Sequence, residues 1–290
     1  MASIPYDPSR QALFHPGDAD NFFQLDPAQT QSDVALCIEM CRLSYVKEEA
    51  RLDKYLQRAQ FQKKLALGYG TRGSQVFIAS KPADNVTVVA FRGTEPDDPS
   101  DLFTDARFVR TAWANASGAP FGEVHQGFAD ALLKEDVARQ VKTSLDSIAP
   151  PNRFLVTGHS LGASVATLMA SWIPSSHLYT FGSPLVGDAA FAQAMRNIAH
   201  TRFVDCCDLV TRLPPESFGY VHVGTFRYLD RNGHLLDAPT EDVVKADRRA
   251  GAAWYLIHHA LMPGTVFSQD LADHAPINYV SGVMGLRVQV

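Results

Sequence analysis

A serine between two glycines is the feature of this sequence with the clearest chemical meaning. Gly158, Ser160 and Gly162 form a G-x-S-x-G pattern that follows an apolar run and precedes a run of small, helix-compatible residues. A strand, a sharp turn and a helix in that order expose the serine hydroxyl at the apex of the turn. The glycines let strand and helix approach closely, and the first N–H groups of the helix face a developing oxyanion. The pattern therefore predicts a nucleophilic serine at position 160.

A serine hydroxyl is a weak nucleophile at neutral pH, so it requires a base and a group that orients the base. In sites built on this turn, an acid and then a histidine follow the serine along the chain. Asp205 and Asp208 both follow it, near the end of an apolar stretch. We prefer Asp208 as the acid, because Asp205 lies inside the predicted strand whereas Asp208 lies where that strand gives way to a loop.

Ten histidines compete for the role of base. His159 adjoins the serine, but we expect it to point away on the tight turn, and His15 and His125 precede the serine. His274 lies in a late loop beyond every predicted strand, so its position favours it without excluding the rest. Five of the others lie in or beside predicted strands or in a helical stretch: His200, His222, His234, His258 and His259.

Backbone and hydroxyl donors should complete the site by stabilising the oxyanion. The backbone N–H of Leu161 comes directly after the serine. Thr94 follows the strand predicted over residues 86–91 and offers both an N–H and a hydroxyl. We therefore predict that Leu161 and Thr94 form the oxyanion hole.

Strands and helices are predicted to alternate along the chain. Apolar spacing predicts one or two helices within residues 33–60, beginning near Ser32 or Asp33. Apolar runs predict strands that include residues 71–79, 178–181, 201–206 and 221–229, a loop over residues 115–122 and one long helix over residues 129–148. This alternation indicates a mostly parallel, doubly wound sheet with helices on both faces. We expect one domain over residues 1–290, with residues 1–30 as an arm across its surface.

The composition limits the classes of partner. Hydrophobic residues make up 46% of the chain and charged residues 20%, which suits a globular protein with a sizeable core. A formal charge of −5 and the lack of a Lys/Arg cluster argue against a nucleic-acid partner. No apolar run reaches the length of a transmembrane helix. The N-terminus lacks the features of a signal peptide, so we expect a cytoplasmic protein, or an extracellular one if a leader is missing or export is leaderless.

The four cysteines do not suggest a disulfide framework. Cys37 and Cys41 are one helical turn apart, and Cys206 and Cys207 are adjacent in a predicted apolar strand. We expect buried free thiols. No His or Cys pair with ligand spacing accompanies them, so we expect no metal site, and the serine chemistry requires no cofactor.

Six motifs together resemble the class 3 lipase family, the fungal triacylglycerol lipase type of α/β-hydrolase. They occur in the order of that family and span most of the chain between residues 87 and 279. The motifs cover residues 89–94, 124–128, 158–163, 181–187, 208–215 and 273–279. The resemblance implies the α/β-hydrolase fold, with Ser160 as nucleophile, Asp208 as acid, His274 as base, and Thr94 and Leu161 as the oxyanion hole.

The resemblance also implies a short amphipathic lid at about residues 95–112. Its bulky apolar side chains would turn toward an acyl chain or a lipid–water interface. A triacylglycerol lipase acting on medium- to long-chain esters is the function implied; an esterase or phospholipase with the same triad, or an inactive binding module, is the alternative. The apolar side chains in question are Leu102, Phe103, Phe108, Val109 and, just beyond, Trp113.

Overall fold

The computed structural model describes residues 3–23, 32–69, 75–93 and 108–288. Among the helices that it describes, none is both long enough and apolar enough to cross a bilayer. The α-helices are α1 (Arg10–Phe14), α2 (Asp33–Leu43), α3 (Glu49–Arg58), α4 (Gln126–Leu133), α5 (Val137–Asp146), α6 (Leu161–Ala170), α7 (Ala189–Ala194), α8 (Glu241–His258), α9 (Gln269–Ala272) and α10 (Pro276–Val283). The β-strands are β1 (Ile4–Pro5), β2 (Gln62–Leu67), β3 (Val76–Lys81), β4 (Val86–Phe91), β5 (Arg110–Ala114), β6 (Pro120–His125), β7 (Arg153–His159), β8 (His177–Phe181), β9 (His200–Asp205), β10 (Thr225–Leu229), β11 (Leu235–Asp237) and β12 (Arg287–Val288).

Eight of the described strands form one sheet, in the order β11-β10-β9-β8-β7-β4-β3-β2. The five strands from β10 to β4 are parallel to one another, whereas β11, β3 and β2 pair antiparallel at the two edges. The prediction of a mostly parallel sheet is confirmed. Because the carboxyl ends of parallel strands share one edge of a sheet, the residues that follow β4, β7, β8 and β9 converge there.

Helices cover both faces of this sheet. Side chains of a strand alternate between the two faces, and β4 shows the consequence. Val88 and Ala90 pack with α2 and α10 on one face, whereas Val89 and Phe91 pack with α4, α5, α6 and α7 on the other. With both faces buried, β4 is apolar almost throughout, as expected for a parallel strand between helix layers.

The N-terminal segment is attached to the end of the chain. β1 pairs in parallel with β12, and the hydroxyl of Tyr6 donates a hydrogen bond of 2.7 Å to the carboxylate of Asp273. Ser32 caps α2 as predicted, because its side chain accepts a hydrogen bond from the backbone N–H of Ala35. The extent of the arm and the single-domain organisation stay predictions.

Several predicted element bounds are wrong; the strand predicted over residues 221–229, for example, begins only at Thr225. Residues 129–148 do not form one helix: Asp136 has a positive φ of 58°, which interrupts the helical path between α4 and α5. The predicted loop at residues 115–122 extends too far, because Pro120 already begins β6, which pairs antiparallel with β5.

The cysteine prediction is confirmed in its main point. All four cysteines are free and buried. β9, however, ends at Asp205, so Cys206 and Cys207 lie in the turn that follows the strand. The prediction that these two cysteines lie in a strand is wrong. They form the turn that leads directly to Asp208.

Two histidines, the buried His200 and the partly buried His222, are neutral in the folded protein. His200 contacts the hydroxyl of Thr180 at 2.9 Å. Burial lowers the pKa of His200 and of His222 to about 3, and the positive charge of Arg202 lowers both further. Between about pH 6.5 and 3 these rings stay neutral in the folded protein but take up protons in the unfolded chain.

The free energy of unfolding should therefore fall as the pH drops through this window. Each of the two histidines contributes a loss of up to about 1.4 kcal/mol per pH unit. The substitution His222→Gln should reduce the slope of the unfolding free energy against pH between pH 6 and pH 4 by the contribution of about one proton. Urea denaturation at several pH values measures the slope, with the exposed His177→Gln as control. An unchanged slope in His222→Gln would contradict this assignment.

Candidate active site

The turn around Ser160 has the predicted strand–turn–helix geometry. β7 ends at His159, α6 begins at Leu161, and Ser160 between them has a positive φ of 58°, a strained conformation for a residue with a side chain. A Cβ on Gly158 would lie 2.1 Å from the carbonyl oxygen of Gly162. β7 and α6 therefore approach each other so closely at this turn that only glycine fits at position 158.

Ser160, His274 and Asp208 form a chain of hydrogen bonds. His274 Nε2 lies 2.8 Å from Ser160 Oγ, and His274 Nδ1 lies 2.9 Å from Asp208 Oδ2. The three residues are buried, with exposed fractions of 3%, 2% and 0%. Asp208 follows β9, and His274 lies in the turn between α9 and α10, so both side chains come from loops at the carboxyl edge of the sheet. The structure thus brings together the three residues predicted to act together.

The carboxylate of Asp208 is oriented by two further donors. Its Oδ2 accepts a hydrogen bond of 2.6 Å from the hydroxyl of Tyr279, and its Oδ1 accepts one of 2.9 Å from the backbone N–H of Val210. Gly182 leaves room for the pair, since a Cβ there would lie 2.9 Å from Asp208 Oδ2 and 3.1 Å from the ring of His274. Donors of this kind stabilise the ionised carboxylate and fix its direction.

Asp205, the alternative acid, has a different partner. Its carboxylate is held by the guanidinium of Arg287, with one hydrogen bond of 3.0 Å from Nη1 to Oδ1 and a second from Nη2 to Oδ2. This ion pair ties β9 to the C-terminal strand β12. Asp205 therefore supports the fold, and the structure places Asp208, not Asp205, against the histidine.

Two residues near the histidine were not predicted as part of the site. The ring of His159 lies against that of His274, with centroids 4.6 Å apart, and His159 Nδ1 lies 2.7 Å from the hydroxyl of Tyr45. Burial lowers the pKa of His159 well below its usual value, and the neighbouring His274 lowers it further. His159 is therefore an uncharged wall of the site. Its adjacency to Ser160 was the only signal in the sequence, and nothing in the sequence pointed to Tyr45.

The oxyanion hole is described in part. Leu161 is the first residue of α6, and the first N–H groups of a helix have no acceptor within that helix. Gly93 lies close to the serine, because a Cβ on it would be 3.0 Å from Ser160 Cβ. Thr94 lies outside the described residues, so its role as the second donor stays a prediction.

Most of the predicted lid, including Leu102 and Phe103, also lies outside the described residues. Of the rest, Phe108 packs against Phe218 with ring centroids 4.9 Å apart, and Val109 is 49% exposed. Trp113 is buried in β5, where its indole N–H donates to Ser171 Oγ. The expectation that Trp113 turns toward an acyl chain is therefore wrong, because it already belongs to the core.

One cluster in the described part of the chain has the residue types of a metal site. The side-chain ligand atoms of Cys206, Cys207 and Asp273 lie within 4.8 Å of one another. Asp273 already accepts hydrogen bonds from Tyr6 and from the backbone N–H of Cys207. The hydrogen bond to Cys207, together with burial, raises the pKa of the Cys206 thiol, which favours a protonated thiol over the thiolate that metals require.

This geometry defines a class of protein. A serine on a strained turn after a parallel strand, followed along the chain by an aspartate and then a histidine in hydrogen-bond contact, is the Ser-His-Asp triad of an α/β-hydrolase. Residues 88–218 match the family described as Lipase (class 3). Over these residues the chain is similar to the class 3 lipase family, and the resemblance predicted from the motifs is confirmed.

Three known proteins illustrate the similarity. A secreted mono- and diacylglycerol lipase of Fusarium solani is 34% identical over 171 residues, which cover 56% of this chain and 49% of the relative. A Rhizomucor miehei lipase is 31% identical over 188 residues, 60% of this chain and 50% of the relative. The chain thus spans about half the length of these relatives.

A solved triacylglycerol lipase, whose catalytic centre is described as a serine protease triad, aligns with a TM-score of 0.57 at 22% identity. The alignment covers 84% of this chain and 96% of that protein. At this level of identity the match concerns the fold, and it confirms the α/β-hydrolase architecture.

The Tyr279–Asp208 hydrogen bond should affect the reactivity of Ser160. Tyr279→Phe removes a donor to the carboxylate, which should slow fluorophosphonate labelling of Ser160 by about tenfold. The rate of fluorophosphonate labelling at neutral pH measures this effect.

The buried Tyr255→Phe is the matched control, since its hydroxyl donates to the backbone oxygen of Val266. Ser160→Ala should not be labelled. A Tyr279→Phe protein labelled at the wild-type rate would show that this hydrogen bond does not position the acid.

Proposed function

We propose that this protein is a serine carboxylic ester hydrolase whose substrates are lipid esters with medium to long acyl chains, as in triacylglycerol lipases. The observation that carries the proposal is the unbroken hydrogen-bond chain from Asp208 through His274 to Ser160. All three side chains are buried, so charge that develops on the substrate interacts with fixed donors more strongly than in water.

The reaction begins when Ser160 Oγ attacks the ester carbonyl carbon. His274 Nε2 takes the hydroxyl proton, while Asp208 holds the imidazole in the required orientation and stabilises its protonated form. The negative charge of the tetrahedral intermediate is met by the N–H of Leu161 and, as we propose, by Thr94. His274 then returns the proton to the leaving alcohol, which leaves an acyl group on Ser160.

Water completes the cycle on the same atoms. His274 removes a proton from a water molecule that attacks the acyl carbon, and the second tetrahedral intermediate collapses to release the carboxylic acid and restore the serine hydroxyl. The ring of His159 packs against the ring of His274. The low pKa of His159 keeps it uncharged beside the imidazolium that forms on His274. A second positive charge at that position would oppose proton transfer to His274.

The choice of lipid esters rests on the relatives and on two exposed apolar side chains. The Fusarium solani relative is named as a mono- and diacylglycerol lipase. In the present chain Val109 and Phe218 are large apolar side chains that stay about half exposed, and Phe218 lies in the loop after Asp208. Exposed apolar side chains suit contact with an acyl chain better than contact with a short polar ester.

Hydrolysis of p-nitrophenyl esters of increasing chain length tests the proposal. We expect rates to rise with chain length, and more steeply above the solubility limit of the ester. Ser160→Ala should lower kcat by about 10⁴-fold or more. Activity confined to short soluble esters would favour an esterase, and activity retained in Ser160→Ala would contradict the mechanism.

A further inference from the structure

A stretch without charged side chains joins α8 to α9. Arg249 precedes it and Asp270 follows it, and residues 250–269 contain no Asp, Glu, Lys or Arg. Ile257 is 78% exposed and Leu261 is 94% exposed. Large apolar side chains exposed together mark an interaction surface. The set, which we call the apolar tip, consists of Leu256, Ile257, Leu261, Met262 and Phe267.

The backbone beneath the apolar tip is largely hydrogen-bonded within the protein. The carbonyl oxygen of Tyr255 accepts from the N–H groups of His259 and Ala260, and the hydroxyl of Thr265 contacts the carbonyl oxygens of His259 and Met262. A segment that enters an apolar medium must satisfy its backbone polar groups internally. This turn meets that condition for the backbone groups named above.

Cationic side chains border the apolar tip. Arg249 lies seven residues before Leu256, two helical turns away on the same side of α8. Arg10 lies at the other border, because its backbone N–H donates to the carbonyl oxygen of Gly264. Both are exposed, and within the described part of the chain neither forms an ion pair with an acid. Apolar side chains beside arginines match the layering of a phospholipid surface, where phosphates lie above the acyl chains.

The apolar tip is also close along the chain to the triad. Phe267 lies seven residues before His274, and the carbonyl oxygen of Asp270 accepts a hydrogen bond from the N–H of Leu209, the neighbour of Asp208. A protein anchored through this surface would therefore hold its triad next to the surface. The apolar tip lies outside residues 88–218, which match the lipase family.

We propose that the apolar tip is an anchor that inserts into a phospholipid-coated lipid surface and so delivers the triad to aggregated substrate. The choice of a lipid partner rests on the proposed function. The exposure of Leu261 supports the same choice, because a side chain with almost no neighbours enters a fluid acyl layer without needing a matching pocket. A protein partner would have to supply such a pocket.

Vesicle binding tests the anchor without relying on catalysis. The Ser160→Ala protein is mixed with large unilamellar vesicles of phosphatidylcholine, with and without phosphatidylglycerol, and the bound fraction is measured by flotation. Binding should be stronger with phosphatidylglycerol. The double substitution Ile257→Asp/Leu261→Asp should weaken binding to both vesicles by about tenfold or more, since two apolar side chains can no longer insert. Arg249→Gln should remove part of the preference for phosphatidylglycerol.

The matched control is Val243→Asp, an exposed apolar residue in the first turn of the same helix α8, which should bind like the parent. With Ser160 restored, the double variant should keep its rate on a short soluble ester and lose rate on vesicle-borne ester. Normal vesicle binding by the double variant would overturn the anchor, as would an equal loss in Val243→Asp. A concentration-dependent dimer that the double substitution abolishes, without vesicle binding by the parent, would assign the surface to a second copy instead. Absence of Ser160-dependent hydrolysis in the wild type would refute the proposed function, whatever the vesicles show.

Discussion

The hydrogen-bond chain from Asp208 through His274 to Ser160 is the interaction on which the active site of this protein depends. Its three members come from separate loops, and it forms only if β7, β9 and the α9–α10 turn end at the same edge of the sheet. A buried carboxylate without partners would be costly. The buried carboxylate of Asp208 is tolerated because the hydroxyl of Tyr279 and the N–H of Val210 donate hydrogen bonds to it.

A second buried network holds these loops in place. Arg287 binds Asp205 at the end of β9, and Tyr6 and the N–H of Cys207 bind Asp273, the residue before the histidine. The two ends of the described chain thus meet beneath the triad through β1 and β12. Such an arrangement fixes the loops that carry the acid and the base by polar contacts in a water-poor environment, where each lost partner would be expensive.

The parts of this site that were predictable are those that local chemistry dictates. Gly158 is required because β7 and α6 nearly touch there, and the preference for Asp208 over Asp205 followed from where the apolar run ends. Tyr279 and Tyr45 were not predictable, because their contacts depend on how α10 and the end of α2 pack on the sheet. The break between α4 and α5 was missed for a related reason: the apolar spacing continues through Asp136 while the backbone turns.

The most direct test of the central claim is to trap the acyl-enzyme. The protein is mixed with a p-nitrophenyl ester, quenched in acid before steady state, digested and examined by mass spectrometry. We expect one acyl group on the peptide that contains Ser160, formed at least as fast as the ester turns over, and none in Ser160→Ala. Turnover without an adduct on Ser160, or an adduct on another residue that forms as fast in Ser160→Ala, would contradict that claim.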